Sequence, residues 1–203
     1  MAPMKAQPPE PAADPLDELR AWIGEARDRG LSHPAAVSFI TATTDGRPSA
    51  RTVTLKRLEP GALLFTSALW TRKAREIEEN PRVALLFHWP ELGRQVHVAG
   101  TVEIAERALA EELFEERDLP NRLQALVSRQ GEEIEPEELE RIRARAVHLT
   151  EVQETAPACP EDWGALRVTP EIVELWSESP DRIHERRLFE RGEDGWRVQL
   201  LAP

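Results

Sequence analysis

The 203-residue sequence contains no tyrosine and a single cysteine, Cys159. The first absence excludes any mechanism that needs a phenol as an acid or as a ligand contact. The second excludes an internal disulfide and a cysteine-rich zinc site, and it agrees with a reducing compartment. No apolar run approaches the roughly 18 residues of a membrane-crossing helix, so no spanning segment is expected. Positive charge is in deficit: 26 Lys and Arg stand against 37 Asp and Glu, a formal net charge of −11 with a pI near 5.1. Binding to nucleic acid or to an anionic membrane is therefore not expected, because both require a net basic surface. A Gly-rich dinucleotide fingerprint, a P-loop, a His-Glu-x-x-His pair and a Gly-x-Ser-x-Gly elbow are also missing. The five histidines, at positions 33, 88, 97, 148 and 184, lack metal-ligand spacing, and no metal site is expected.

What is present is the composition of an ordinary globular domain, 40% hydrophobic and 31% charged. Residues 1–13, rich in Pro and Ala and without an apolar core, read as a disordered arm rather than a secretory signal, which makes the cytoplasm the expected compartment. Residues 14–203 read as one domain. Charge is unevenly spread along it. From Thr43 to Arg75 seven cations stand against two acids, whereas from Glu103 to Glu140 thirteen acids stand against four cations. The acidic stretch reads as solvated helix faces; the basic stretch admits a small anionic ligand.

Asp14-Pro15 is a helix start, and Leu16, Leu19, Ile23 and Ala26 follow at helical spacing until Gly30. Residues 36–43 and 49–56 read as a β-hairpin across the Asp45-Gly46 turn. Strands are expected at 62–66, 82–88 and 95–104, with a short helix over 71–80 stopped by Pro81. Helices are expected at 108–117, 121–129 and 136–149, and strands at 165–169, 171–176, 186–190 and 196–201. Strands at both ends around central helices, without βαβ alternation, point to an α+β protein with an antiparallel sheet or barrel.

Three short constellations carry candidate chemistry. Alternation in 51–56 places Arg51, Val53 and Leu55 on one face and Thr52, Thr54 and Lys56 on the other. Thr71-Arg72-Lys73 opens a helix where free N–H groups, the positive dipole end and two cations coincide, as a phosphate site requires. Arg182, His184 and Arg186, if extended, project from one face as a cationic row that an anion would relieve.

Taken in order, DPLDELRAWIGEA, DGRPSARTVTLK, TRKAREIEENPRVALLFHW, RQVHVAGTVE, VSRQ and the closing ELWSESPDRIHERRLFERGEDGWRVQLLAP resemble the pyridoxine/pyridoxamine 5′-phosphate oxidase family of FMN-dependent oxidases. The resemblance runs from Asp14 to Pro203. It implies an antiparallel split β-barrel with peripheral helices, and a homodimer with FMN at the subunit interface. It implies FMN contacts from Arg51, Thr52, Val53, Thr54, Leu55, Lys56, Thr66, Ser67, Arg72, Lys73, Gln95, Gln130, Trp176 and Arg186, with Arg51, Arg72 and Lys73 on the FMN phosphate. Lys56, Arg117, Asn121, Arg182 and His184 would hold a phosphorylated pyridine substrate, Arg182 and His184 beside the ring as the catalytic pair. The reaction implied is oxidation of pyridoxamine or pyridoxine 5′-phosphate to pyridoxal 5′-phosphate, O2 being reduced to H2O2.

The sequence departs from the family pattern at three positions. Leu113 replaces a phosphate-binding tyrosine, Asn121 a serine, and Gly131 the serine that follows Gln130. Leu113 cannot hydrogen-bond and suits an aromatic ring. A second reading therefore keeps FMN and changes the substrate to a larger ring, as in the phenazine-biosynthesis branch of the family. A third is a split-barrel protein that binds flavin without turnover.

Overall fold

The computed structural model describes residues 14–152 and 156–203. The arm expected at residues 1–13 lies outside them. Helix α1 (Pro15–Asp28) starts where Pro15 occupies its first position and the Asp14 carboxylate accepts from the Leu16 N–H at 2.9 Å. Its apolar stripe, Leu16, Leu19, Trp22, Ile23 and Ala26, is buried. Strands β1 (Ala36–Ala42) and β2 (Pro48–Thr54) form the expected antiparallel hairpin, with Phe39 opposite Arg51 and Thr41 opposite Ser49. A strand not expected from the sequence, β3 (Arg57–Glu59), turns through Gly61, at φ 73°, into β4 (Ala62–Ala68). Helix α2 (Arg72–Glu79) and the strand pair β5 (Arg82–Trp89) and β6 (Arg94–Ile104) follow. The acidic middle forms α3 (Arg107–Glu115), α4 (Leu119–Val127) and α5 (Pro136–Val152). Of its thirteen acids from Glu103 to Glu140, all but Glu138 are exposed, as solvated faces should be. Strands β7 (Trp163–Ser177), β8 (Glu185–Gly192) and β9 (Gly195–Leu201) close the chain.

All strand pairs are antiparallel, in the order β2-β1-β5-β6-β7-β4-β3, with β8 on β7 and β9 on β8. The two strands expected at 165–169 and 171–176 are one strand, β7. Pro170, read from sequence as a break, is carried within it, opposite Gly100 of β6. On one side β7 pairs β4 through 163–168 and then β8 through 172–177, so Pro170 falls where one partner gives way to the other. On its other side the register with β6 shifts between Ala99 and Gly100. At that point β7 exchanges one neighbour for another, within the curled antiparallel sheet of a split β-barrel.

One core fills the inside of the curl, from α1 to Phe39, Phe65, Phe87, Val98 and Leu175. Strand β4 is buried on both faces because α3 covers its outside, packing Leu109, Ala110 and Leu113 against Leu64 and Ala165. Leu113 has no exposed surface. It belongs to that outer core layer, not to a ligand-facing surface.

Candidate active site

Helix α2 begins without a side-chain cap. The Thr71 hydroxyl turns back to donate to the Ala68 carbonyl at 2.8 Å and lies 3.2 Å from Ser67 Oγ, and the first turn carries no acid. Its free N–H groups and the positive dipole end therefore face outward beside Arg72 and Lys73. Lys73 is only 7% exposed. Its ammonium makes one long hydrogen bond, 3.4 Å to Thr71 Oγ1, and has no ion-pair partner among the described residues. Burial, and then the charge of Arg51, push its pKa down to about 8.

Arg51 reaches the same corner from β2. It donates to the Phe39 carbonyl at 3.1 Å, to Thr41 Oγ1 at 2.7 Å and to Ser49 Oγ at 2.6 Å. Burial is the main force lowering its pKa. Thr66 and Ser67, on β4, lead into this corner. Arg72 and Gln130 line one cleft, together with Trp70, Arg75 and Arg129. Arg129 stacks 4.7 Å over the Trp70 ring, whose buried indole N–H has no partner among the described residues. Of the neighbouring positions, Thr52 and Thr54 are exposed and Val53 is half-buried. Leu55 puts its side chain into the core, and its N–H bonds to the Ala35 carbonyl at 2.9 Å.

A second cation group sits at the α3–α4 corner. Arg57 pairs with Glu112 at 2.7 Å and with Glu116, tying β3 to α3, and so brings the next residue back, Lys56, to Arg117. Desolvation, then the charge of Arg117, push the Lys56 pKa below its ordinary value, with Asp118 and Glu116 acting the other way. Arg117 lies 4.5 Å from the Trp163 ring centre and 5.6 Å from that of Phe114, and donates to the Asn121 carbonyl at 2.6 Å. The Asn121 N–H is used by the Asp118 helix cap. Its side chain is exposed.

The remaining expected residues form a third group. Gln95 of β6 lies opposite Trp176 of β7, and Trp176 opposite Arg186 of β8, a single row on one face of three strands. Arg186 Nε donates to Glu174 at 2.8 Å. Arg182 and His184 are not in an extended row with it. They lie in the turn between β7 and β8, where Arg182 has φ 66°. Asp181 accepts from Ser179 Oγ at 2.5 Å and from the Ile183 N–H at 3.0 Å, and the Ser179 N–H donates to His184 Nδ1 at 3.1 Å. His184 lies against Trp176 with ring centres 4.8 Å apart and the planes tilted by 49°. Because Nδ1 accepts, the imidazole proton sits on Nε2. Among the described residues no hydrogen bond or ion pair joins this group to the Arg51–Lys73 corner.

Sequence reasoning missed Glu76, Thr41 and Ser49, which interlock with Arg51 and Arg72. The i,i+4 spacing of Arg72 and Glu76 on α2 was the available signal. The Arg51–Lys73 corner fits a phosphate: three cations, uncapped helix N–H groups and an ammonium that is buried and without a counter-ion among the described residues all suit an anion.

Comparison with known proteins finds relatives over nearly the whole chain. Residues 23–151 match the family model described as pyridoxamine 5′-phosphate oxidase, and residues 163–203 match the pyridoxine 5′-phosphate oxidase C-terminal dimerisation region. A pyridoxine/pyridoxamine 5′-phosphate oxidase of Rubrobacter xylanophilus is 44% identical over 94% of this chain and 87% of its own. One from Gluconobacter oxydans is 37% identical over 94% and 95%. Among solved structures, PhzG from Burkholderia lata 383 in complex with tetrahydrophenazine-1-carboxylic acid superposes with a TM-score of 0.87 at 28% identity, covering 96% of this chain and 95% of that one.

Proposed function

The chain belongs to the pyridoxamine 5′-phosphate oxidase family, and from that premise we propose that it oxidises pyridoxamine 5′-phosphate, with water taken up and ammonia released, and pyridoxine 5′-phosphate to pyridoxal 5′-phosphate, with FMN as cofactor and O2 reduced to H2O2. The observation that carries this reading is the pair of separate cation groups, Arg51–Arg72–Lys73 and Lys56–Arg117. A phosphorylated cofactor and a phosphorylated substrate need one each.

In this reading Arg51, Arg72, Lys73 and the first turn of α2 hold the cofactor phosphate, and Gln130 closes the same cleft. Lys56, Arg117 and Asn121 hold the substrate phosphate. Arg182 and the Nε2–H of His184, fixed by its bond from Ser179, position the substrate ring. FMN supplies, when bound, two-electron oxidation of the substrate carbon C4′ with delivery of the electrons to O2. The dimerisation match over β7–β9 supports a homodimer in which the Gln95–Trp176–Arg186 row and the Arg182–His184 turn complete the partner's site.

The likeness to PhzG favours a second reading, oxidation of a larger aromatic acid at the same site. Anaerobic mixing separates the two. Pyridoxamine 5′-phosphate is expected to bleach the yellow flavin within the mixing experiment; no bleaching at millimolar substrate rejects the first reading, and bleaching by tetrahydrophenazine-1-carboxylic acid instead supports the second. Lys73→Glu is expected to abolish FMN retention, whereas Arg182→Ala keeps FMN and loses turnover.

A further inference from the structure

Glu76, in the second turn of α2, is a carboxylate with 4% exposure. It accepts from Thr41 Oγ1, from Ser49 Oγ at 2.5 Å and from Arg72 Nε at 2.7 Å, and lies 3.6 Å from Arg51 Nη2. Thr41 and Ser49 are cross-strand partners, and each hydroxyl accepts from Arg51 while donating to Glu76. Two guanidinium groups from different elements thus converge on one carboxylate, one directly and one mainly through two hydroxyls. Burial pushes the Glu76 pKa up, but the bonds from Ser49, Thr41 and Arg72 outweigh it and hold it at about 2, so the group is charged throughout the neutral range.

We propose that Glu76 is the positioning residue of the cofactor-phosphate site, orienting Arg51 and Arg72 toward the phosphate and leaving Lys73 as the cation it does not pair. A buried ion pair is weak evidence of a stabilising role, whereas fixing two charged donors in one geometry is a use that burial suits. Charge balance agrees: three cations and one carboxylate leave two positive charges, which a dianionic phosphate matches. The inference rests on the reading of this corner as the site of the FMN phosphate.

The test compares FMN with riboflavin, which has the same ring and no phosphate, by quenching of flavin fluorescence on titration with apoprotein. Wild-type protein is expected to prefer FMN. Glu76→Gln is expected to weaken FMN binding by about tenfold or more and leave riboflavin binding unchanged, a ratio that general loosening of the fold would not move. Ser49→Ala, on the edge strand β2, is expected to move the same ratio in the same direction by less. Unchanged or tighter FMN binding in Glu76→Gln overturns the proposal. Should that variant not fold, Ser49→Ala decides, and an unchanged ratio overturns it. Lack of FMN preference in the wild type overturns the phosphate-site reading instead.

Discussion

Lys73 holds its charge at a cost, since burial leaves its ammonium one 3.4 Å hydrogen bond and sets its pKa near 8. A phosphate arriving beside it favours the charged form, so binding above pH 8 requires uptake of a proton. FMN affinity is therefore expected to be level between about pH 7 and 8 and to fall by up to about tenfold per pH unit above that. Riboflavin, lacking the phosphate, should not follow this profile, and titrations of both ligands from pH 7 to 10 check it. The sign for folding is opposite. Between about 8 and the ordinary lysine value of 10.5 the unfolded chain binds more protons than the folded one, so this group makes the apoprotein more stable as pH rises, by at most about 3 kcal/mol. The sequence placed Lys73 at a helix start among cations but could not reveal its burial, because that depends on the tertiary packing of α2, which meets β1 and β6. Leu113 teaches the same point from the other side. Its apolar character suggested a ring-facing residue, whereas the packing of α3 on β4 and β7 places it in a core layer.

Elements that rest on local signals were legible in the sequence: the Asp14-Pro15 helix start, the Asp45-Gly46 hairpin, and the stop of α2 before Pro81. Those decided by tertiary pairing were not. Strand β3 has three residues and exists because Arg57 is pinned to α3 and its backbone pairs with β4. The continuity of β7 through Pro170 depends on the exchange of neighbours from β4 to β8. Gly100 is the matching feature on β6, since a Cβ there would stand 2.1 Å from the Thr169 carbonyl oxygen and 2.9 Å from the Pro170 Cα. Both obstacles are backbone and cannot rotate away. Gly100→Ala is expected to cost more than about 3 kcal/mol, or to prevent folding, because it separates the two strands that carry Gln95 and Trp176. Gly24→Ala makes the opposite comparison: a Cβ on that helical glycine meets nothing within 4 Å, and a gain of about 0.5–1 kcal/mol is expected. Chemical denaturation of both variants against wild type measures the contrast.

At the scale of the whole molecule, the net charge of −11 describes the exterior of the acidic helices and not the ligand-facing surfaces. The cations expected to face ligands are split between one region built by β2 and α2, another at the α3–α4 corner, and a third around the β7–β8 turn. The sheet order sets β2 and β8 on either side of β1, β5, β6 and β7, and the dimerisation match covers the third region. Sequence order alone placed all these residues in one inventory; the topology separates them into regions on different strands of the sheet. If each site draws Lys73 from one chain and Arg182 from the other, two inactive variants should repair each other. Random pairing of Lys73→Met with Arg182→Ala protomers makes half the dimers mixed, and each mixed dimer has one site with neither substitution. Activity of the co-refolded mixture is therefore expected to reach about a quarter of wild type, with one FMN retained per mixed dimer. A site contained within a single chain would leave the mixture as inactive as its parents, because every Lys73→Met chain and every Arg182→Ala chain would still carry its own defect.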